Sequence, residues 1–235
     1  MHGITRGYII AALPRTGSFL LCEKLAALGS IGYPQEYGLL EDWATWSDYH
    51  GYASHLTYFY DFFRFCSTPN GVFGCKLMWT QFAALRHHIK LYTGIGGQGL
   101  EPIEGMTGPL KVVFLDRRDI VMQAISLVRA METNVWSTHH TLPPPALVYS
   151  RVAINDAIHM IEENRRQWEA LFTRHAVDPL RLFYEDITRG EASAIFPFLR
   201  VKVPERVHAT HLKQQADDYS LAWRDRFVKE RASAL

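Results

Sequence analysis

The segment that most constrains this 235-residue chain is Ala12-Leu13-Pro14-Arg15-Thr16-Gly17-Ser18-Phe19-Leu20-Leu21-Cys22. Ahead of it, Tyr8 to Leu13 is a continuous apolar run of strand length; behind it, Leu20, Leu21, Leu25 and Leu28 recur at helical spacing, with Gly29 where a C-cap is expected. Strand, tight loop and helix in that order can build an anion cradle. A glycine between two hydroxyl residues lets backbone N–H groups converge on one oxygen, and the helix macrodipole adds about half a positive charge at the same point. Arg15 brings a full charge on a planar fork suited to phosphate or sulfate. The same letters also describe an ordinary strand-to-helix turn capped by Ser18, so the rest of the chain has to decide.

With 48% hydrophobic and 21% charged residues, the chain can bury a sizeable core, and one domain spanning residues 1–235 is expected. A net charge of +1 provides no basic field for nucleic acid or a membrane surface, so any anion must be held by local groups. Cys22, Cys66 and Cys75 are odd in number and lack a CxxC spacing, and the first apolar run is too short for a signal peptide or a membrane span. The expectation is a cytoplasmic, reducing setting without a transmembrane segment.

Further along, Pro34 forces an extended conformation on Tyr33, and Gly32 and Gly38 flank a loop that carries Glu36. In a doubly wound parallel sheet this loop lies at the carboxyl edge beside the cradle. Glu36 is therefore a candidate to face the anion, or else a solvated surface acid. Residues 41–70 are crowded with aromatics and read as irregular helices, mostly core and partly pocket wall. Gly71 to Met78 reads as a strand with Lys76 inside it, followed by a helix from Thr80 to about Lys90. His87 and His88 are adjacent, point to different faces of that helix, and make poor metal ligands. Gly94 to Gly99 spells GxGxxG, but the residues from Leu100 to Pro109 read as unable to start a helix, so a mobile loop is expected rather than a dinucleotide site.

Lys111 to Leu115 is the next buried strand, with Asp116-Arg117-Arg118-Asp119 at its carboxyl end and a helix from Ile120 to Met131 that includes Ser126. Paired arginines there suggest a second anion site, or arginines in surface ion pairs. His139 and His140 sit in a proline-rich loop. Pro145 to Arg174 reads as one long helix with Val148, Val152, Ile158, Ile161, Trp168 and Phe172 on one stripe. Leu180 to Tyr184 is a strand ending in Glu185-Asp186, and residues 216–232 form a charged amphipathic helix. This alternation predicts an α/β fold with a parallel sheet of about four or five strands and helices on both faces.

Taken together, PRTGSFLLCEKL, YPQEY, FGCKLMW, DRRDIVMQAIS and LFYEDI resemble the sulfotransferases in order and spacing, most closely the bacterial trehalose 2-sulfotransferase family. The resemblance spans nearly the whole chain and implies a P-loop-like sulfotransferase fold. It further implies 3′-phosphoadenosine 5′-phosphosulfate (PAPS) as donor and a sugar or glycolipid hydroxyl as acceptor. By that likeness Arg15, Thr16, Gly17, Ser18 and Phe19 hold the 5′-phosphosulfate, with Arg15 also catalytic. Arg118 and Ser126 hold the 3′-phosphate, Tyr184 adjoins the nucleotide, and Glu36 is the catalytic base. Two positions depart from the family's usual loop: Thr16 replaces a serine, and Phe19 stands where a threonine hydroxyl would contact the phosphosulfate. No metal is expected, since the chain has neither a Gly-Lys-Ser/Thr loop nor a convincing ligand set. A homodimer is a further expectation. The competing readings are a nucleotide kinase of similar topology and a nucleotide- or glycan-binding protein with weakened catalysis.

Overall fold

Four parallel strands carry the architecture of the computed structural model, which describes residues 3–34, 51, 55–136, 147–201 and 218–233. They are β1 (Arg6–Ala12), β2 (Val72–Leu77), β3 (Leu110–Asp116) and β4 (Leu180–Phe183), arranged β2-β1-β3-β4. In the register, Ile10 of β1 lies beside Lys76 of β2 on one side and Val113 of β3 on the other. Because helices cover both faces, the central strands are buried on both sides. That is why β1 from Tyr8 onward reads as a continuous apolar run rather than as an alternating pattern.

On one face, Tyr8, Ile10, Ala12, Val113, Leu115 and Leu182 form a core with the apolar side of α1 (Ser18–Ala26) and with Ile187. On the other, Ile9, Ala11, Cys75, Leu77, Val112 and Phe114 pack beneath α2 (His55–Phe65), α3 (Trp79–Thr93), α5 (Ile120–Thr133) and α6 (Arg151–Arg174). Phe59, Phe62 and Phe63 are fully buried there, so the described part of the aromatic segment is core. Trp168 anchors this face, stacked on Phe172 with ring centroids 5.9 Å apart and meeting Trp79 edge-on at 5.2 Å. The short α7 (Tyr184–Arg189) and α8 (Ile195–Leu199) follow β4, and α9 (Asp218–Ala232) packs beside α5.

Three expectations are corrected. Behind the glycine-rich stretch a helix does start, α4 (Glu101–Thr107). Pro102 falls in its first turn, where no intrahelical N–H is needed, and Glu101 and Glu104 favour the positive end of its dipole. Gly94 is the left-handed C-cap of α3, so the GxGxxG letters connect two helices and do not follow a strand. The long helix begins at Arg151, with Ser150 capping it by accepting from the Ala153 N–H. Val148 precedes it and Val152 is 69% exposed, because two residues of helix turn Val152 about 200° away from Ile154. The buried stripe runs instead through Ile154, Ala157, Ile158, Ile161, Trp168, Leu171 and Phe172. Finally, Tyr184 opens α7 rather than closing β4.

Candidate active site: an arginine-lined anion cradle

The turn from β1 into α1 leaves the sheet at its carboxyl edge and is held in an unusual backbone shape. Arg15 (φ +61°) and Gly17 (φ +72°) are both left-handed. For an arginine this conformation costs on the order of 1–2 kcal/mol, a strain that persists only where surrounding structure imposes it. Gly17 is required twice over: it takes the left-handed conformation without penalty, and a Cβ there would lie 2.7 Å from Cδ2 of Tyr184. Gly17, not Ser18, is the N-cap of α1, and no side chain caps that helix. The first-turn N–H groups therefore point out of the loop as anion donors.

Two side chains fix the loop from within. Thr16 is fully buried and its hydroxyl donates to the carbonyl of Leu13 at 2.7 Å. Gln123, buried in α5, donates from Nε2 to the carbonyl of Pro14 at 2.7 Å. Ser18 is buried at the start of α1, whereas the ring of Phe19 is 41% exposed. Over that ring, 4.8 Å from its centroid, sits the ammonium of Lys76, a residue only 1% exposed.

Across the loop, Arg15 Nε donates to Ser126 Oγ at 2.9 Å and Nη1 donates to the carbonyl of Trp136 at 2.7 Å. Arg117 approaches the same loop, its Nη1 3.4 Å from the Arg15 carbonyl and its guanidinium 4.4 Å above the ring of Tyr184. Burial, and then the neighbouring charge of Arg117, hold the Arg15 guanidinium below its ordinary pKa; burial does the same to Arg117. Two half-buried cations repelling each other at a loop of convergent N–H groups form a site that an anion would relieve.

Carboxylates organise the other side of the Asp116-Arg117-Arg118-Asp119 turn. Arg118 forms a two-pronged pair with Asp186 at 2.7 and 2.8 Å, and its backbone N–H lies 3.2 Å from the Glu185 carboxylate oxygens. These bonds raise the Arg118 pKa and hold the Asp186 carboxyl below its usual range. Asp116 takes both prongs of Arg165 at 2.8 and 2.9 Å, while Asp119 caps α5 through Met122 N–H and accepts from Arg224 Nε at 2.9 Å. Of the adjacent arginines, Arg118 thus faces the acids and Arg117 faces the loop.

The structure therefore brings Arg15, Thr16, Gly17, Ser18, Phe19, Ser126 and Tyr184 to one place, with Arg118 on the far side of the Arg117 turn. Gln123 and Lys76 were not singled out for the site from sequence, and Arg117 entered only as one of the paired arginines of a second anion site, not as a neighbour of the β1 loop. A lysine inside a fully buried strand was the one signal that pointed to Lys76. Glu36, the expected base, and His139 and His140 lie outside the described residues. Two cavities, of about 410 and 310 Å³, are lined by other segments, including Lys111, His175 and Arg86, and contain no cradle residue.

A four-stranded parallel sheet flanked by helices, with an arginine-lined strand–loop–helix turn at its carboxyl edge, is the architecture of the sulfotransferase class of α/β fold. The chain belongs to the Stf0 sulphotransferase family, whose model matches residues 7–230. It is 30% identical to a trehalose 2-sulfotransferase of Mycobacterium tuberculosis, an alignment covering 98% of this chain and 97% of that protein. It is 29% identical to a trehalose 2-sulfotransferase of Mycolicibacterium smegmatis, covering 95% and 94%. Among the described residues no helix is long and apolar enough to cross a membrane.

Proposed function

We propose that this sulfotransferase moves the sulfuryl group of PAPS to a hydroxyl of a carbohydrate or glycolipid acceptor, with Glu36 as general base. The observation that carries the reading is the Arg15–Ser126 hydrogen bond, which joins the β1 loop to the helix behind the paired arginines in one anion-binding unit. The carbohydrate acceptor is supported by the relatives, both trehalose 2-sulfotransferases matched over nearly their whole length.

In this reading the donor's 5′-phosphosulfate lies on the N–H groups of Thr16, Gly17, Ser18 and Phe19, with Arg15 beside it. Thr16 contributes through its main chain, since its hydroxyl proton is given to Leu13. Arg118 and Ser126 take the 3′-phosphate, and Arg117 and Tyr184 line the approach between the two groups. The acceptor oxygen attacks sulfur as its proton passes to the Glu36 carboxylate. The bond between sulfur and the bridging oxygen breaks, and its electron pair stays on the departing 5′-phosphate. Sulfuryl transfer resembles phosphoryl transfer in its loose, in-line transition state, so positioning and cationic stabilisation of the leaving oxygen dominate. General-base assistance adds roughly 10²–10⁴-fold.

The experiment is transfer of labelled sulfate from PAPS to a panel of sugars and glycolipids, with ATP as the competing donor. Glu36→Gln should abolish transfer and leave nucleotide affinity unchanged. Phosphoryl transfer from ATP, or full activity in the Glu36 variant, would reject the proposal.

A further inference from the structure

Lys76 is out of place by every packing rule. It occupies the fifth position of β2, a strand buried along its whole length, where leucine, isoleucine or methionine would fill the volume without a charge to desolvate. Its register partner Ile10 belongs to the core on the α1 side, so Lys76 projects toward that helix. From Ile10 to Ala12, where the cradle begins, β1 rises about 6.5 Å, a span that a lysine's four-carbon stem covers. The ammonium arrives over the ring of Phe19, 4.8 Å from its centroid and well inside cation–π range. Phe19 lies in the first turn of α1, directly after Ser18 and among the N–H groups that open the helix.

The sheet order gives the contact its meaning. The arginines and Ser126 reach the β1 loop from β3 and its helix, whereas Lys76 reaches it from β2, on the opposite side of β1. PAPS carries two anionic ends. If the 3′-phosphate lies on the β3 side, the sulfuryl end of the phosphosulfate extends toward β2. Resting on the proposed function, we infer that Lys76 is a charged donor to the sulfuryl group of PAPS, and that the Phe19 ring is a positioning clamp holding its ammonium at the mouth of the cradle. Phe19 then compensates for the hydroxyl missing from that position: the ring gives no hydrogen bond to the donor, but it holds a cation that does.

Calorimetry with PAPS and with its desulfated product, 3′-phosphoadenosine 5′-phosphate, tests this directly. Lys76→Met should weaken PAPS tenfold or more and the product less than threefold. An equal loss for both ligands, or no loss for either, would overturn the assignment of Lys76 to the sulfuryl group. If the wild-type chain binds neither nucleotide, it is the sulfotransferase site that fails rather than the role of Lys76. Should the buried substitution prevent folding, Phe19 carries the test at a half-exposed position. Phe19→Leu should lower kcat/KM for PAPS at least threefold with product affinity unchanged, and Phe19→Tyr, which keeps the aromatic face, should restore it to within twofold. A Phe19→Leu enzyme with wild-type kcat/KM would remove the clamp. In the double variant Lys76→Met/Phe19→Leu, the second substitution should add nothing, because both act through one ammonium.

Discussion

Arg15 and Ser126 lie 111 positions apart in the chain and are joined by a 2.9 Å hydrogen bond from Nε to Oγ. Arg15 belongs to the loop after β1 and Ser126 to α5, so neither segment is oriented independently of the other. The Ser126 hydroxyl accepts from the guanidinium, and in the proposed binding mode it gives its own proton to the 3′-phosphate. Gln123, one helical turn earlier on α5, ties the same loop at the Pro14 carbonyl.

Ser126→Ala removes the acceptor of a charged hydrogen bond, a loss worth about 1.5–3 kcal/mol. The expected result is a roughly tenfold or greater fall in affinity for PAPS and for its desulfated product alike, read by calorimetry. Unchanged affinity would show that the Ser126 hydroxyl is not needed to hold Arg15.

The two adjacent arginines separate by ligand. Arg118, assigned to the 3′-phosphate, shares its guanidinium with Asp186, whereas Arg117 points at the loop. Arg118→Ala is expected to weaken 3′-phosphoadenosine 5′-phosphate about tenfold while leaving AMP almost untouched. Arg117→Ala should weaken both. Equal effects of Arg118→Ala on the two nucleotides would move the 3′-phosphate contact to Arg117.

Asp186 also sets an acid limit on stability. The bond from Arg118, with the Arg118 and Arg189 charges behind it, lowers its folded-state pKa below the usual carboxylate value of about 3.9. A depressed carboxyl stabilises the fold above its unfolded pKa, and the contribution disappears as pH falls through the folded value. Melting temperature should drop more steeply below about pH 4 in the wild type than in Asp186→Asn. Parallel curves would mean that the pair, exposed as it is, adds nothing measurable.

Much of this was readable beforehand, for identifiable reasons. The β1 loop announced itself because strand, glycine between hydroxyls and leucine-spaced helix are all local features. The order of the four strands and the pairing of Arg15 with Ser126 are not local, and only the resemblance of five separated motifs linked them in advance. The stretch Leu100 to Pro109, with two prolines and two glycines, hides the start of α4, because a proline in a first turn has no intrahelical N–H bond to lose. Val152 is apolar yet off the stripe, because its angular phase on the helix sets it opposite Ile154. Which of Arg117 and Arg118 faces the loop could not be read from adjacent identical letters. It is decided by Glu185 and Asp186 in the first turn of α7, nearly seventy residues later, which bind the Arg118 main chain and guanidinium.

Gly17→Ala tests whether the backbone shape of the loop is itself part of the site. Alanine at φ +72° costs about 1–2 kcal/mol, and its methyl group would press on the Tyr184 ring at 2.7 Å. For a chain of this size each kcal/mol lowers the melting temperature by about 2–4 °C, so a fall of several degrees is expected. The ring has to move to admit the methyl, and the guanidinium of Arg117 rests on that ring at 4.4 Å. PAPS affinity should therefore fall by more than the loop strain alone would cause. Combining Gly17→Ala with Tyr184→Ala removes the clash but not the backbone strain. The pair should be less destabilised than the sum of the two single variants, with the φ penalty remaining. Strict additivity would show that Tyr184 yields without resistance and that Gly17 is needed for its conformation alone.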